Sequence, residues 1–352
     1  MKKLGSLRLG FSFAGCFLGA GYVSGQELWQ FFGRFGGLGL LGLLLAVILL
    51  GVTGAAALRL SAGTGIAETD RLILGDGYPR LRWVIVLLET GLLFGVCVIM
   101  TAGVGALFRQ LLGIPPWLAA AGFVVLVTAT SFSGFRGMVA AFSATVPILV
   151  GVTLLFALLS LCKNGLTLPA ADTTDTGVTL LRSWPVAAAS FACYNIFGSI
   201  AIITPLSRYT ARAETTVSGI LIGIVLLLSV ALSVLVCVSG GGVAQEELPM
   251  LALALRIAYP VGLGYGALLL LAMFGTCLSS FVAFLQMIWE KFPLPERHRA
   301  SAHLLCALVM FFASLLGFGD LIGTIYPFFG YCSSVFIVIL LLRCFRQRSM
   351  QQ

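Results

Sequence analysis

The sequence predicts an all-α integral membrane protein with ten membrane-spanning helices. Of its 352 residues, 59% are apolar and only 10% are charged, whereas about a quarter of a soluble domain is charged. The apolar residues form long continuous runs without the two-residue alternation of an outer-membrane barrel. Backbone groups in hydrocarbon must be satisfied within their own segment, which favours helices. The composition therefore excludes soluble, disordered and disulfide-rich secreted proteins.

A membrane helix needs about 20 mostly apolar residues, and this criterion divides the chain into ten predicted spans. The spans are residues 8–32, 36–58, 83–108, 116–133, 137–162, 184–206, 215–238, 262–290, 303–317 and 321–344. The ninth is the shortest, and we expect its inner end to extend toward His298. The inner loop 65–79 is expected to lie in the membrane interface, and residues 245–259 are expected to form a short outer helix.

The basic residues are distributed unequally between the two sides of this topology. With the N-terminus inside, 16 of the 21 Lys and Arg residues lie on the inner segments. This asymmetry places both termini in the cytoplasm. The net charge of +8 therefore indicates orientation and not a nucleic-acid partner, because the basic residues are spread over six short inner segments.

The ten spans divide into two sets of five. Residues 1–163 contain the first set, residues 164–182 form a polar outer loop with Asp172 and Asp175, and residues 183–352 contain the second set. Because five is odd, the second set begins on the opposite side of the membrane. This arrangement is typical of an inverted repeat within a single transporter domain.

The first helix of each half carries residues that weaken a helix. Span one contains the segment 15–27, with four glycines together with Ser24, Gln26 and Glu27, and span six contains the segment 193–199. Corresponding broken helices mark the central site of a transporter, because free N–H groups attract anions and free carbonyls hold cations. The alternative for the span-one glycines is close packing between helices.

We expect a central substrate cavity lined by small and polar residues of spans one and six. These residues are Gly19, Gly21, Ser24, Tyr194, Asn195, Gly198 and Ser199. Backbone N–H groups would bind a substrate carboxylate, and Tyr194 or Asn195 would bind a polar group. The alternative for these two side chains is hydrogen bonding between helices.

Only two carboxyl groups lie well inside the predicted spans, and both are candidates for coupling or gating. A charge at that depth costs about 3 kcal/mol on insertion scales and is therefore expected to have a function. Glu27 could take up a proton, bind an amine of the substrate, or accept backbone N–H groups at the broken helix. Glu89 is expected to pair with Arg82 or another basic residue at an inner gate.

The segment 18–27, LGAGYVSGQE, followed by 31–36, FFGRFG, resembles the start of YkvI-type bacterial membrane proteins. These are similar to distant members of the amino acid–polyamine–organocation and sodium-symporter superfamily. The resemblance implies a bacterial cytoplasmic membrane protein with the leucine-transporter fold and broken helices one and six. It also implies alternating access, in which spans 1, 2, 6 and 7 move against spans 3, 4, 8 and 9.

The resemblance further implies a sodium site between spans one and eight. Its ligands would be the carbonyls of Gly15, Leu18 and Thr276 and the hydroxyls of Ser279 and Ser280. Oxygen ligands suit a hard cation, and residues 137–162 contain no Lys of the kind that replaces sodium in some proton-coupled relatives. The alternative is that the hydroxyls bond to carbonyls of their own helix.

The expected function is secondary active transport of a small organic solute, namely an amino acid or a related zwitterion or amine, coupled to Na⁺. Two alternatives stay open: H⁺ coupling through Glu27 or Glu89, and a ligand sensor that does not transport. An enzyme is not expected, because the two His residues lie at the inner edge without a nucleophile or metal-binding set. No covalent cofactor is expected, the expected partners are the solute and the lipid bilayer, and the oligomeric state is left open.

Overall fold

The computed structural model describes residues 5–132, 148, 150–159, 161–162, 165, 167–170, 180–209, 213–291 and 295–351. Its regular elements are helices, as the composition predicts. The helices are α1 Ser6–Gly15, α2 Ala20–Ser24, α3 Gln26–Leu28, α4 Gly37–Thr64, α5 Thr69–Leu74, α6 Pro79–Leu112, α7 Pro116–Phe132, α8 Val150–Leu159, α9 Trp184–Ile203, α10 Ala213–Gly241, α11 Pro249–Ile257, α12 Tyr259–Lys291, α13 Glu296–Ser314 and α14 Phe318–Gln351. A π-helix, Trp29–Gly33, follows α3, and a 3₁₀-helix, Thr204–Tyr209, follows α9.

Six of the described helices, α4, α6, α9, α10, α12 and α14, are long and apolar enough to cross a membrane. The first, fourth and ninth predicted spans coincide with the interrupted segment α1–α3 and the shorter helices α7 and α13. Of the fifth span, 137–162, the structure describes residues 148, 150–159 and 161–162, which include α8. Asp172 and Asp175 of the outer loop lie outside the described residues. α13 begins at Glu296 and so extends beyond His298, and α11 forms the expected short outer helix.

The helices pack in two groups. In the first group, α1 lies along α10, and α4 packs on both α9 and α10. In the second group, α6 packs on α7, α12 and α13. α14 contacts α9 and α6 and thereby joins the two groups. The packing follows the division into four and four helices that the family resemblance implies.

The predicted break in span six is wrong for residues 193–199. α9 is a continuous α-helix from Trp184 to Ile203. The side-chain amide of Asn195 donates to the Phe191 carbonyl one turn earlier, at 3.0 Å. Gly198 serves packing, because a Cβ there would lie 3.1 Å from Leu92 Cδ2. The α-helix ends at Ile203, where the 3₁₀-helix Thr204–Tyr209 follows.

The inner loop is predicted to lie in the membrane interface, and its apolar residues pack on protein. Its central part is α5, whose Leu72 and Ile73 are fully buried where α5 packs on α6 and α14. The guanidinium of Arg343 donates to the carbonyls of Arg71 and Leu72 at 2.7 and 2.8 Å. The apolar residues of this loop therefore cover the inner end of the helix bundle.

Candidate functional site

The first membrane segment is interrupted twice, which places polar backbone groups inside the protein. α1 ends at Gly15, residues 16–19 leave the α-helix, and α2 begins at Ala20. The second interruption is Gly25, whose φ of 91° is strained for any residue with a Cβ. Glycine-rich sequence predicts both interruptions, because glycine adopts such conformations at low cost.

Two tyrosine hydroxyls hold α2 between its neighbours. The hydroxyl of Tyr22 donates to the Leu227 carbonyl of α10 at 2.8 Å. The hydroxyl of Tyr265, on α12, donates to the Val23 carbonyl at 2.8 Å. Because each bond joins α2 to a different helix group, α2 lies at the boundary between the two groups.

The first interruption leaves backbone carbonyls open. The N–H groups of residues 16–19 donate to the carbonyls of Phe13, Ala14 and Phe17. Within the described part of the chain, no hydrogen bond is formed to the carbonyls of Gly15 and Leu18. These are the two carbonyls expected to bind sodium, so this half of the predicted site has ligand atoms to offer.

The hydroxyl half of the predicted sodium site is less prepared. Ser279 is exposed and its hydroxyl donates to the carbonyls of Gly275 and Thr276 on its own helix, at 2.8 and 3.0 Å. Ser280 is buried, and Thr276 is half-buried on the same helix. Ser279 therefore follows the alternative given above for hydroxyls in membrane helices, and Ser280 is the better hydroxyl ligand.

The carboxyl group of Glu27 is the centre of the candidate substrate site. Glu27 is 5% exposed, and the hydroxyl of Tyr194 on α9 donates to its Oε1. Its Oε2 lies against Gly21, where a Cβ would be only 2.6 Å away, and the side chain of Asn195 also interacts with the carboxyl group. Three predicted cavity residues, Gly21, Tyr194 and Asn195, are thus brought together around Glu27.

Aromatic rings that the sequence did not single out enclose this carboxyl group. Tyr326 of α14 stacks on Tyr194, with ring centroids 4.5 Å apart and an interplanar angle of 6°. Phe31 and Phe191 pack on Tyr194 at 5.8 and 5.7 Å. Tyr326 precedes Pro327 inside α14, and a proline within a membrane helix is the signal that could have identified it. We refer to Gly21, Glu27, Phe31, Phe191, Tyr194, Asn195 and Tyr326 as the Glu27 site.

The other predicted cavity residues lie apart from this carboxyl group or have local roles. Gly19 has open space where a Cβ would stand. The hydroxyl of Ser24 donates to the Gly21 carbonyl of its own helix at 2.9 Å. Gly198 packs against Leu92, and Ser199 is buried on the same helix. Gly19 is the member of this set that retains free space for a ligand.

The environment of Glu27 argues against a purely structural role. Among the described residues, no Arg, Lys or His forms an ion pair with it, and no backbone N–H of the interrupted helix donates to it. Its contacts are a phenol, an amide and aromatic rings. Such a group either stays protonated or keeps its charge for a cation that binds there.

The predicted pairing of Glu89 with Arg82 is wrong. Arg82 pairs with Asp70, with both Nε and an Nη nitrogen 2.7 Å from Oδ2. Glu89, on α6, is 9% exposed and accepts a hydrogen bond of 2.9 Å from the hydroxyl of Thr69 on α5. The acidic residue of α5 lies nearer to Arg82, which satisfies that cation and leaves Glu89 with a neutral donor.

The outer ends of the two helix groups are joined by polar contacts. Arg109, at the end of α6, pairs with Glu247 of the segment before α11 at 2.6 Å. The amide of Gln30 donates to the Gly319 carbonyl at the start of α14, at 2.9 Å. These contacts lie at the helix ends that the predicted topology places outside, and they could not be identified from the sequence.

Comparison with known proteins places this geometry in a structural class. The chain is 26% identical over 350 residues to YkvI, an uncharacterized membrane protein of Bacillus subtilis strain 168, with 97% of both chains covered. It is 25% identical over 336 residues to the uncharacterized protein YyaD of the same organism, covering 93% of this chain and 94% of YyaD. No protein-family model matches the chain.

Solved structures of transporters superpose on nearly the whole chain. Mhp1 in an inward-facing conformation matches with a TM-score of 0.63 and 17% identity, over 97% of this chain and 76% of Mhp1. MhsT in complex with L-phenylalanine matches with a TM-score of 0.62 and 16% identity, over 98% of this chain and 89% of MhsT. The chain has the leucine-transporter fold. A manganese transporter of Eremococcus coleocola matches with a TM-score of 0.57 and 17% identity, over 95% of this chain and 76% of that protein.

These likenesses confirm the resemblance to YkvI-type membrane proteins and the fold that it implies. The matched transporters carry unlike cargo by their descriptions, because one holds L-phenylalanine and another transports manganese. A shared fold does not determine the substrate.

Proposed function

We propose that this protein is a secondary active transporter of a small organic solute that carries an amino group. The observation on which this proposal rests is the Glu27 site, a buried carboxyl group among aromatic rings beside an interrupted helix. The carboxylate is a counter-ion for an ammonium group, and the aromatic rings packed around Tyr194 make the surroundings apolar, which strengthens such a pair. Amino acids and simple amines carry that group.

A zwitterionic solute would have its carboxylate near the first interruption. Gly19 precedes α2, so the first N–H groups of this helix begin beside it. The free space at Gly19 gives a carboxylate access to those groups. The ammonium group would then face Glu27, whose Oε2 lies against Gly21 near the start of α2.

We propose alternating access as the transport mechanism, with the inverted repeat and the ten spans that the sequence predicts. Two separately packed helix groups support relative movement, because few contacts join α6 to α9. The contacts Arg109–Glu247 and Gln30–Gly319 would have to break when the predicted outer side opens. Both termini would lie in the cytoplasm of a bacterial cell, as the distribution of basic residues predicts.

We propose Na⁺ as the coupling ion, bound by the carbonyls of Gly15, Leu18 and Thr276 together with Ser280 and, after a rotamer change, Ser279. The open carbonyls at the first interruption support this site. H⁺ is the second candidate, favoured by two buried carboxyl groups, Glu27 and Glu89, that are hydrogen-bonded to neutral hydroxyls. Binding of either ion would be coupled to substrate binding through movement of the interrupted helix.

A thermal-shift screen followed by uptake measurements tests this function. The purified chain is screened with amino acids, amines and nucleobases, in Na⁺ and in K⁺, because a bound ligand stabilises the folded state. The best ligand is then offered to proteoliposomes with an inward Na⁺ gradient, a proton gradient or no gradient. We expect accumulation that requires the Na⁺ gradient; accumulation driven by the proton gradient alone supports H⁺ coupling.

Two results would contradict transport. Binding without accumulation under any gradient indicates a ligand sensor with the same fold. Stabilisation by nucleobases without an amino group, together with none by amines, would contradict the role proposed for Glu27. Liposomes without protein control for passive leakage of the ligand.

A further inference from the structure

We propose that the groove between α7 and α13 binds one anionic phospholipid, with its phosphate at the cytoplasmic end. This groove shares no residue with the Glu27 site, because its lining residues belong to α7, α12 and α13. The bound lipid would therefore be a partner of the second helix group and not the transported solute. The assignment of the cytoplasmic end follows from the proposed orientation of the chain.

The groove is apolar along the membrane-spanning part of the two helices. A cavity of about 470 Å³ lies between α7 and α13, lined by side chains such as Val124, Leu308 and Phe311. Among the described lining residues, Thr128 has the only polar side chain. Such a cavity suits an acyl chain, since each buried methylene contributes about 0.8 kcal/mol.

The groove becomes polar at its inner end. A second cavity of about 310 Å³ is lined by Ser131, Gln286, Arg299 and His303, and Phe132 lines both cavities. Nε2 of His303 is 2.8 Å from the hydroxyl of Ser131, and the His303 ring stacks on Phe132 with centroids 4.1 Å apart. The polar groups are thus aligned with the apolar cavity along one helix pair.

The charge at this end selects an anion. The guanidinium of Arg299 lies 6.0 Å from the ring centroid of Trp289, and tryptophan marks the level of lipid headgroups. Of the described residues that line the two cavities, none is Asp or Glu; the exposed Glu290 adjoins Trp289 but is not part of the lining. Basic pockets between membrane helices on the cytoplasmic side are suited to anionic headgroups.

Native mass spectrometry of the full-length protein in detergent tests this proposal. The delipidated protein is titrated with phosphatidylglycerol, phosphatidylcholine or inorganic phosphate. We expect one phosphatidylglycerol to bind with at least about tenfold preference over phosphatidylcholine, because both lipids carry the phosphate but phosphatidylcholine adds a trimethylammonium group that Arg299 repels. Equal binding of the two lipids would overturn the proposal, and binding of inorganic phosphate that displaces phosphatidylglycerol would make the site one for a soluble anion.

Three variants locate the lipid. Arg299→Ala is expected to weaken phosphatidylglycerol binding about tenfold, whereas Arg297→Ala, an exposed arginine two residues away outside both cavities, should leave it unchanged. Ala129→Phe, which fills the apolar cavity, should weaken both lipids alike. Equal loss in the two arginine variants would indicate general charge attraction and refute the site. Size-exclusion profiles verify that each variant is folded, and solute binding at the Glu27 site should stay unaltered.

Discussion

Replacement of Glu27 by Gln removes the negative charge of the candidate site and keeps an oxygen that can accept from Tyr194. The amide has nearly the same shape as the carboxyl group, so the contact with Gly21 is preserved. If Glu27 is the counter-ion of an ammonium group, the variant loses a charge-assisted hydrogen bond in a site that is 5% exposed. Such a bond contributes about 2 kcal/mol, which corresponds to about thirtyfold in Kd.

The assay for this prediction is a thermal-shift titration with the best ligand of the screen, followed by uptake into proteoliposomes. Glu290→Gln is the matched control, because it is the same chemical change at an exposed position of α12 and should leave Kd unaltered. An unchanged Kd in Glu27→Gln, with both proteins folded, would refute the counter-ion role. Tyr194→Phe is expected to have a smaller effect on Kd, because it removes a hydroxyl that donates to Glu27 but keeps the carboxylate itself.

The same variant separates amine binding from proton coupling. If Glu27 carries the coupling proton, Glu27→Gln resembles the protonated state, so that ligand binding persists and the pH dependence of uptake disappears. Glu89→Gln is the parallel test for the inner carboxyl group. Wild-type pH dependence in both variants would rule out proton coupling through these residues.

Three further outcomes follow from the structure. Gly25→Ala should lower the free energy of unfolding by about 1–3 kcal/mol, because the φ of Gly25 is 91°. Gly264→Ala, where a Cβ meets nothing within 4 Å, should not lower it, and thermal unfolding in detergent compares the two variants. Thr69→Val should lower the same free energy by about 1–3 kcal/mol because Glu89 loses its hydrogen-bond donor, and an unchanged Tm would show that the bond contributes nothing. Ser280→Ala should raise the Na⁺ concentration needed for half-maximal stabilisation about tenfold, more than Ser279→Ala does; the reverse order would exclude Ser280 as the principal hydroxyl ligand.

The helical membrane fold could be predicted from the sequence because it depends on composition and segment length. The long apolar runs reappear as α4, α6, α9, α10, α12 and α14. The interruption of span one was also predictable, since glycines weaken a helix and Gly25 supplies a positive φ that other residues adopt at a cost. The same reasoning was wrong for span six, where Gly198 accommodates Leu92 and the helix continues.

Sequence position identified the buried carboxyl groups but could not identify their partners. Arg82 and Glu89 lie two turns apart on one face of α6, which suggested that they pair. Arg82 pairs with Asp70 instead, because α5 packs on α6 and brings that acid nearer. The apolar residues of the same loop predicted an interfacial segment, because periodicity does not distinguish a face that meets lipid from one that meets protein. The packing of α5 on α6 and α14 accounts for both the partner of Arg82 and the burial of the apolar residues of the loop.

The Glu27 site shows why a site of this kind is only partly visible in a sequence. Glu27 and Gly21 are near neighbours on the interrupted helix, and the cost of a charge in a membrane span identifies Glu27 without a structure. Tyr194 and Tyr326 are distant from Glu27 in the sequence, with Tyr194 already 167 residues away, and they come near it only because α9 packs between α4 and α14. A single tyrosine in an apolar helix is ordinary, and only the packing of the helices brings two stacked tyrosines to a buried carboxyl group. If the site binds an amine, as we propose, that recognition depends on the packed helices, whereas the carboxyl group itself can be identified from the sequence.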